Sequence, residues 1–231
     1  MSVQFCCLAK HPGEVLPVVP TFLHYTARLP TMAHALTGAH VVLGAESETA
    51  AASLLDGGAQ RVFVGEAALR DGGIVERLLK RFGAARIGLH VPVQRQSVSW
   101  SFETESNAVF RVVTPSLCEP TWEVLHANGE SSGVRAQAWV DAMVALGVQT
   151  VLVRADICDD SDLNLCAGMV DALGDKLWIA PLHDAAPPIA DWIRYGQATQ
   201  IALPIGLYHQ RHALIPRNPS PDTTPATTVI T

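Results

Sequence analysis

From residue 39 onward the chain repeats one unit: a short β-rich apolar run, a turn, and an Ala/Leu-rich helical stretch that closes on glycine. The apolar runs are "AHVVLGA" (39–45), "RVFVG" (61–65), "RIGLHVPV" (86–93), "VQTVLVRA" (148–155), "KLWIAPL" (176–182) and "QIALPI" (200–205). Between them lie "SETAAASLLDGG" (47–58), "GIVERLLKRFG" (73–83), "LNLCAGMVDALG" (163–174) and "PPIADWIRYGQ" (187–197). Ser47 can accept from the first free N–H groups of its helix, and Gly57-Gly58 can end it. Strands that are apolar on both faces and alternate with helices predict a parallel sheet. Open sheets and closed barrels share that alternation. Short, evenly spaced strands with no GxGxxG after the first of them favour the barrel, an α/β fold of (β/α)8 TIM type.

The pattern breaks between residues 94 and 134. "SVSWSF" (97–102) and "VFRVVT" (109–114) alternate as an antiparallel hairpin would, and "TWEVLHANGESSG" (121–133) adds polar turn residues before the helix "VRAQAWVDAMVALG" (134–147). In a barrel this β-hairpin insertion follows the fifth strand, at the end where substrate contacts are built. The 38 residues before the repeat are short for two full strand–helix units, so the N-terminal quarter is abbreviated. Residues 216–231, "PRNPSPDTTPATTVIT", are Pro/Thr-rich without apolar period and read as a flexible tail to one barrel domain over 1–215.

Several function classes fall away on composition. A chain of 231 residues, 48% hydrophobic, can bury a large core, and its net charge of −6 with scattered Lys and Arg leaves no basic stripe for a nucleic-acid backbone. The five cysteines show no CxxC and no zinc spacing, which suits reduced thiols in a cytoplasmic protein. "SVQFCCLA" (2–9) is of strand length, far below the roughly 20 residues of a membrane span. The partner class left is a small-molecule ligand, with a homo-oligomer compatible with it. No cofactor motif is present.

Two longer stretches carry a resemblance. "LLDGGAQRVFVGEAALRDGGIVERLLKRFGAARIGLHV" (54–91) and "ALGVQTVLVRADICDDSDLN" (145–164) resemble, in order, segments of the histidine-biosynthesis barrel family. That family holds the phosphoribosylformimino-aminoimidazole carboxamide ribotide isomerase and its cyclase relative. "TW" (121–122) with "NGESSGV" (128–134) is similar to the family's "GW…SG" loop. The likeness runs from about residue 39 to 212. It implies an aldose–ketose isomerase-like activity, with Asp156 where the family carries a catalytic aspartate and Asp160 at its second aspartate. An acid to open a sugar ring and a base to move a proton between carbons suit two carboxylates with separated pKa values. Related barrels among one-carbon and pterin-cofactor biosynthesis genes of methylotrophic bacteria suggest a pathway.

The chain departs from the family where the chemistry is concentrated. The aspartate that ends the family's first strand has no counterpart, since the only acidic residues before Asp56 are Glu14, Glu46 and Glu48. The glycine-rich phosphate loops read "GAE" (44–46), "LHDA" (182–185) and "PIGL" (204–207), with Gly65 and Gly206 as remnants. Glu46 and Asp184 would repel a phosphate dianion there. The resemblance therefore implies a divergent paralogue whose parent activity is lost or altered.

The aspartate-rich stretch "VRADICDDSDLN" (153–164) admits three readings. It is a solvated turn, an inherited acid at Asp156, or a site for a hard cation, although no EF-hand spacing is present. Asp156, directly after an apolar strand, would sit at the rim with its pKa raised, while Asp159, Asp160 and Asp162 would point into water. Trp122 either stacks on a ligand or packs the insertion. His183 and His90 are ligand contacts or hydrogen-bonded structural histidines. Cys158 lies in the aspartate loop with no histidine nearby in sequence to activate it.

Overall fold

The computed structural model describes residues 2–16, 18–26, 29, 36–96, 106–107, 110–111, 120–183 and 186–215. Eight parallel strands close into a barrel: β1 (Gln4–Ala9), β2 (Thr21–His24), β3 (Ala39–Val42), β4 (Arg61–Val64), β5 (Ile87–Arg95), β10 (Val151–Arg154), β11 (Leu177–Ala180) and β12 (Gln200–Pro204). Each pairs with the next, β5 pairs with β10, and β12 pairs with β1. Closure removes every free strand edge from the ring.

The N-terminal quarter is abbreviated as the sequence predicts. β1 and β2 are joined through residues 10–20, whose described residues carry one 3-10 turn, Pro12–Glu14, and no α-helix. Later crossovers run through α1 (Glu48–Asp56), α2 (Glu66–Arg70), α3 (Gly73–Phe82), α4 (Ala136–Ala145), α5 (Asp160–Leu173) and α6 (Ile189–Arg194), and α7 (Ile205–His209) and α8 (Arg211–Leu214) follow β12. Ser47 caps α1 by accepting from Ala50 N at 3.4 Å.

Strand alternation divides the apolar residues into two bodies. Cys6, Leu8, Phe22, Val42, Phe63, Leu152, Ala180 and Ala202 point inward and fill the barrel with Trp178. The Phe22 ring meets Phe63 and Trp178 edge-on at 5.0 and 5.6 Å between centroids. The Phe63 ring explains the glycine in "IGLH": a Cβ on Gly88 would lie 2.5 Å from it. The outward residues pack under the helices as the larger cluster.

The insertion after β5 has a cause in β5 itself. That strand runs past the ring, and its last residues, Val93–Arg95, offer a free edge to β8 (Trp122–Leu125), which pairs antiparallel and leads into β9 (Ser131–Arg135). Residues 121–133, read from sequence as polar turn, are therefore largely strand. The other expected hairpin is seen only as β6 (Ser106–Asn107) against β7 (Phe110–Arg111). Its arm 97–102 lies outside the described residues, as does the tail 216–231.

Candidate functional site

The C-terminal ends of the barrel strands bring together residues from distant parts of the chain. Asp156 follows β10 and His183 follows β11. Asp156 Oδ1 accepts from the backbone N–H groups of Leu182 and His183, both at 3.0 Å, and its Oδ2 lies 2.7 Å from His183 Nδ1. A carboxylate only accepts, so His183 Nδ1 carries a hydrogen, and in the neutral ring Nε2 is the free acceptor. The imidazole is 75% exposed, so a ligand can reach it.

The electrostatics at Asp156 correct one expectation. Burial works to raise its pKa, but the donors from His183 and Leu182 outweigh burial and hold it below the ordinary carboxylate value. Asp156 is thus a charged anchor that orients His183, an arrangement suited to a histidine base steadied by a carboxylate.

The other aspartates have separate tasks. Asp159 caps α5 by accepting from Ser161 and Asp162 N–H groups, and it receives Arg95 Nη1 at 2.6 Å. Asp160, the first residue of α5, is exposed. Asp162 does not point into water: it is 3% exposed and accepts from Trp122 Nε1 and from Cys158 N, each at 3.2 Å. The turn places it under β8, where the buried Trp122 N–H needs an acceptor. Trp122 is itself buried at 3% exposure. Among the described residues no cluster of His, Cys, Asp or Glu could hold a metal ion.

At the β3–β4 side, carboxylates take up the backbone donors. Glu46 Oε2 accepts from Gly44 N at 2.6 Å, so a side-chain anion already occupies the N–H of the "GAE" turn. Glu66, buried, accepts from Ala127 N at 2.9 Å and pairs with Arg70, while His126 Nδ1 lies 3.3 Å away. Its pKa is held down first by the Ala127 N–H, against the effect of burial. These contacts strap the β8–β9 turn to the start of α2.

The two remnant glycines differ. A Cβ on Gly65 would meet Leu43 O at 2.8 Å and Gly44 O at 2.9 Å, whereas one on Gly206 would meet nothing within 4 Å. Gly65 is required where β4 turns into α2 against β3. Asp184 lies outside the described residues.

Sequence reasoning named His90 but missed His24 and Arg154, which lie with it inside the mouth. His24 on β2, His90 on β5 and Arg154 on β10 share the inward face, with the His24 and His90 rings 6.4 Å apart. His90 Nδ1 donates to Leu43 O at 2.8 Å. Arg154 donates from Nε to Pro181 O at 3.2 Å and from Nη2 to Leu182 O. Burial, then the Arg154 charge, lowers the pKa of His24 to about 4 and of His90 to about 3. The period-2 alternation Leu152, Arg154, Asp156 was the available signal.

The first strand ends at the buried Ala9, followed by Lys10, so no described carboxylate faces Asp156 from that strand. The four described cysteines are free thiols, and no helix among the described residues is long and apolar enough to cross a membrane. No curated protein matches the chain. The family model described as "Histidine biosynthesis protein" matches residues 38–160, more than half of the chain and the run from β3 to the start of α5. With that match laid on a closed eight-stranded barrel, the chain belongs to the histidine biosynthesis protein family.

Proposed function

We propose that the protein binds a small metabolite at the C-terminal rim of the barrel and has diverged from the ribotide isomerisation of its relatives. The observation that carries this reading is the Asp156–His183 pair, which sets a reachable imidazole base on the concave face shared by several strands. Such a pair suits proton transfer on a small, phosphorylated or heterocyclic substrate, the isomerase-like chemistry that the family suggests. In this reading Gly65, Trp122, Asp160 and Gly206 serve as support around the site rather than as contacts to ligand.

A second reading, a non-catalytic barrel subunit, is favoured by two observations. Glu46 fills the Gly44 N–H, and Lys10 follows the first strand where the family carries an aspartate. A setting in one-carbon or pterin-cofactor biosynthesis rests on the resemblance alone.

A thermal-shift screen of metabolites separates these readings. The first expects a stabilising metabolite that is converted by the wild type, with conversion lost in Asp156→Asn and His183→Gln. Stabilisation without conversion supports the second reading. A ligand equally stabilising and equally converted in both variants would overturn the first.

A further inference from the structure

Two polar groups of the barrel interior lack a full set of partners among the described residues. His90 is 6% exposed, and because its Nδ1 donates to Leu43 O, its Nε2 is a lone-pair acceptor; that atom is buried with no hydrogen-bond partner among the described residues. A buried acceptor left unpaired loses its hydration without compensation. Arg154 is the second feature. Two of its N–H groups go to carbonyls of the β11 end, Nη1 donates to no described residue, and no described carboxylate forms an ion pair with it. The nearest candidate, Asp156, is engaged by Leu182 and His183. Asp156 acts on Arg154 through its charge but makes no direct ion pair with it, and a partly buried guanidinium so placed favours an anion brought from outside.

These groups lie on one surface. His90 pairs in register with Leu152, and Arg154 with Pro92, so Arg154 stands one inward step above His90 on the neighbouring strand. Nδ1 of His90 faces the β3–β4 wall, within 3.3 Å of where a Gly65 Cβ would stand, which turns Nε2 away from that wall. Gly65, Ala180 and Ala202 are small inward residues near this level, with the His24 ring beside His90.

We propose that the mouth takes a small anion carrying its own N–H donor, with the anionic group on Arg154 and the donor on His90 Nε2. This rests on the reading of the rim as a ligand site and names the ligand's chemical class. Neutral His90 cannot neutralise an anion, and Arg154 cannot accept a hydrogen bond, so each supplies what the other lacks.

The test uses two probes of one shape, pyrrole-2-carboxylate and furan-2-carboxylate, titrated into the full chain at neutral pH by ligand-detected NMR. The first has an N–H beside its carboxylate and the second an ether oxygen. Wild type is expected to bind the pyrrole roughly tenfold more tightly than the furan. His90→Phe should reduce the pyrrole to the level of the furan and leave the furan unchanged, and Arg154→Gln should weaken both roughly tenfold or more. Equal binding of the two probes to wild type, or binding of neither, overturns the proposal even if a variant fails to fold. A metabolite from the thermal-shift screen that depends on Asp156 but not on Arg154 would sink this inference and leave the rim reading standing.

Discussion

Trp122 Nε1 donates to Asp162 Oδ1 at 3.2 Å, and through this contact the inserted β8–β9 hairpin is fastened to the first turn of α5. The second carboxylate oxygen takes the Cys158 N–H. Asp162→Ala therefore strands the buried Trp122 N–H, at a cost of about 1–3 kcal/mol before relaxation, and removes the acceptor of the part-buried Cys158 N–H. Asp160→Ala, on an exposed neighbour, should stay within about 0.5 kcal/mol of wild type. Urea denaturation of the two variants checks this; equal midpoints would show that the carboxylate does not anchor the hairpin.

The glycines of the two strand ends should separate under the same substitution. Gly65→Ala drives a methyl into the Leu43 and Gly44 carbonyls, so backbone must shift, and destabilisation of about 1–3 kcal/mol is expected. Gly206→Ala adds a methyl in open space within α7 and should be neutral or stabilising by about 0.5–1 kcal/mol. Thermal melts of both decide it.

Much of the barrel was legible because the strands from residue 39 are apolar on both faces, a pattern that only a covered parallel sheet satisfies. The hairpin at 121–135 was not, because its pairing depends on β5 running past the ring, a long-range fact absent from the local pattern of "TWEVLHANGESSG". Within the site, Asp156 and His183 could be placed at strand ends, but their mutual contact could not, since it joins residues from successive strands. Asp162 was misread as solvated for a related reason: its two donors come from β8 and from the loop before α5. Arg154 passed unnoticed inside "VLVRA", although its inward parity is written in the strand.

One buried and two half-buried histidines should make the fold acid-sensitive well above the carboxylate range. Burial first, then a neighbouring cation, lowers His24 and His40 to about 4 and His90 to about 3. In the unfolded chain each titrates near 6.5. Between these values the unfolded state binds more protons, so stability is complete above about pH 6.5 and declines as pH falls toward 4. The slope approaches about 1.4 kcal/mol per pH unit for each histidine. Asp156 acts lower: its folded pKa lies below the unfolded value near 3.9, so its contribution is present above that pH and is lost as pH falls through the folded value. Unfolding free energies measured from pH 7.5 to 4.5 should show the decline, and His40→Phe, which lies away from the mouth beside Phe22 and Phe63, should flatten it by about one proton. A flat profile would contradict the burial of these rings.

Complementation of a strain lacking the ribotide isomerase is expected to fail. The family's reaction needs two carboxylates in cooperating roles, and here β1 ends at the buried Ala9 with Lys10 next. Loss of one general acid or base removes roughly 10²–10⁴ in rate. Substrate binding is opposed as well, because the Glu46 carboxylate sits on the Gly44 N–H, where it would repel a phosphate dianion. Restoring a carboxylate with Lys10→Asp should therefore not rescue growth, since the β3 turn stays closed to phosphate. The pair of strains distinguishes the causes: growth with Lys10→Asp alone would trace the loss to the missing acid, and growth with the wild-type chain would show that the Asp156–His183 pair suffices for the parent reaction.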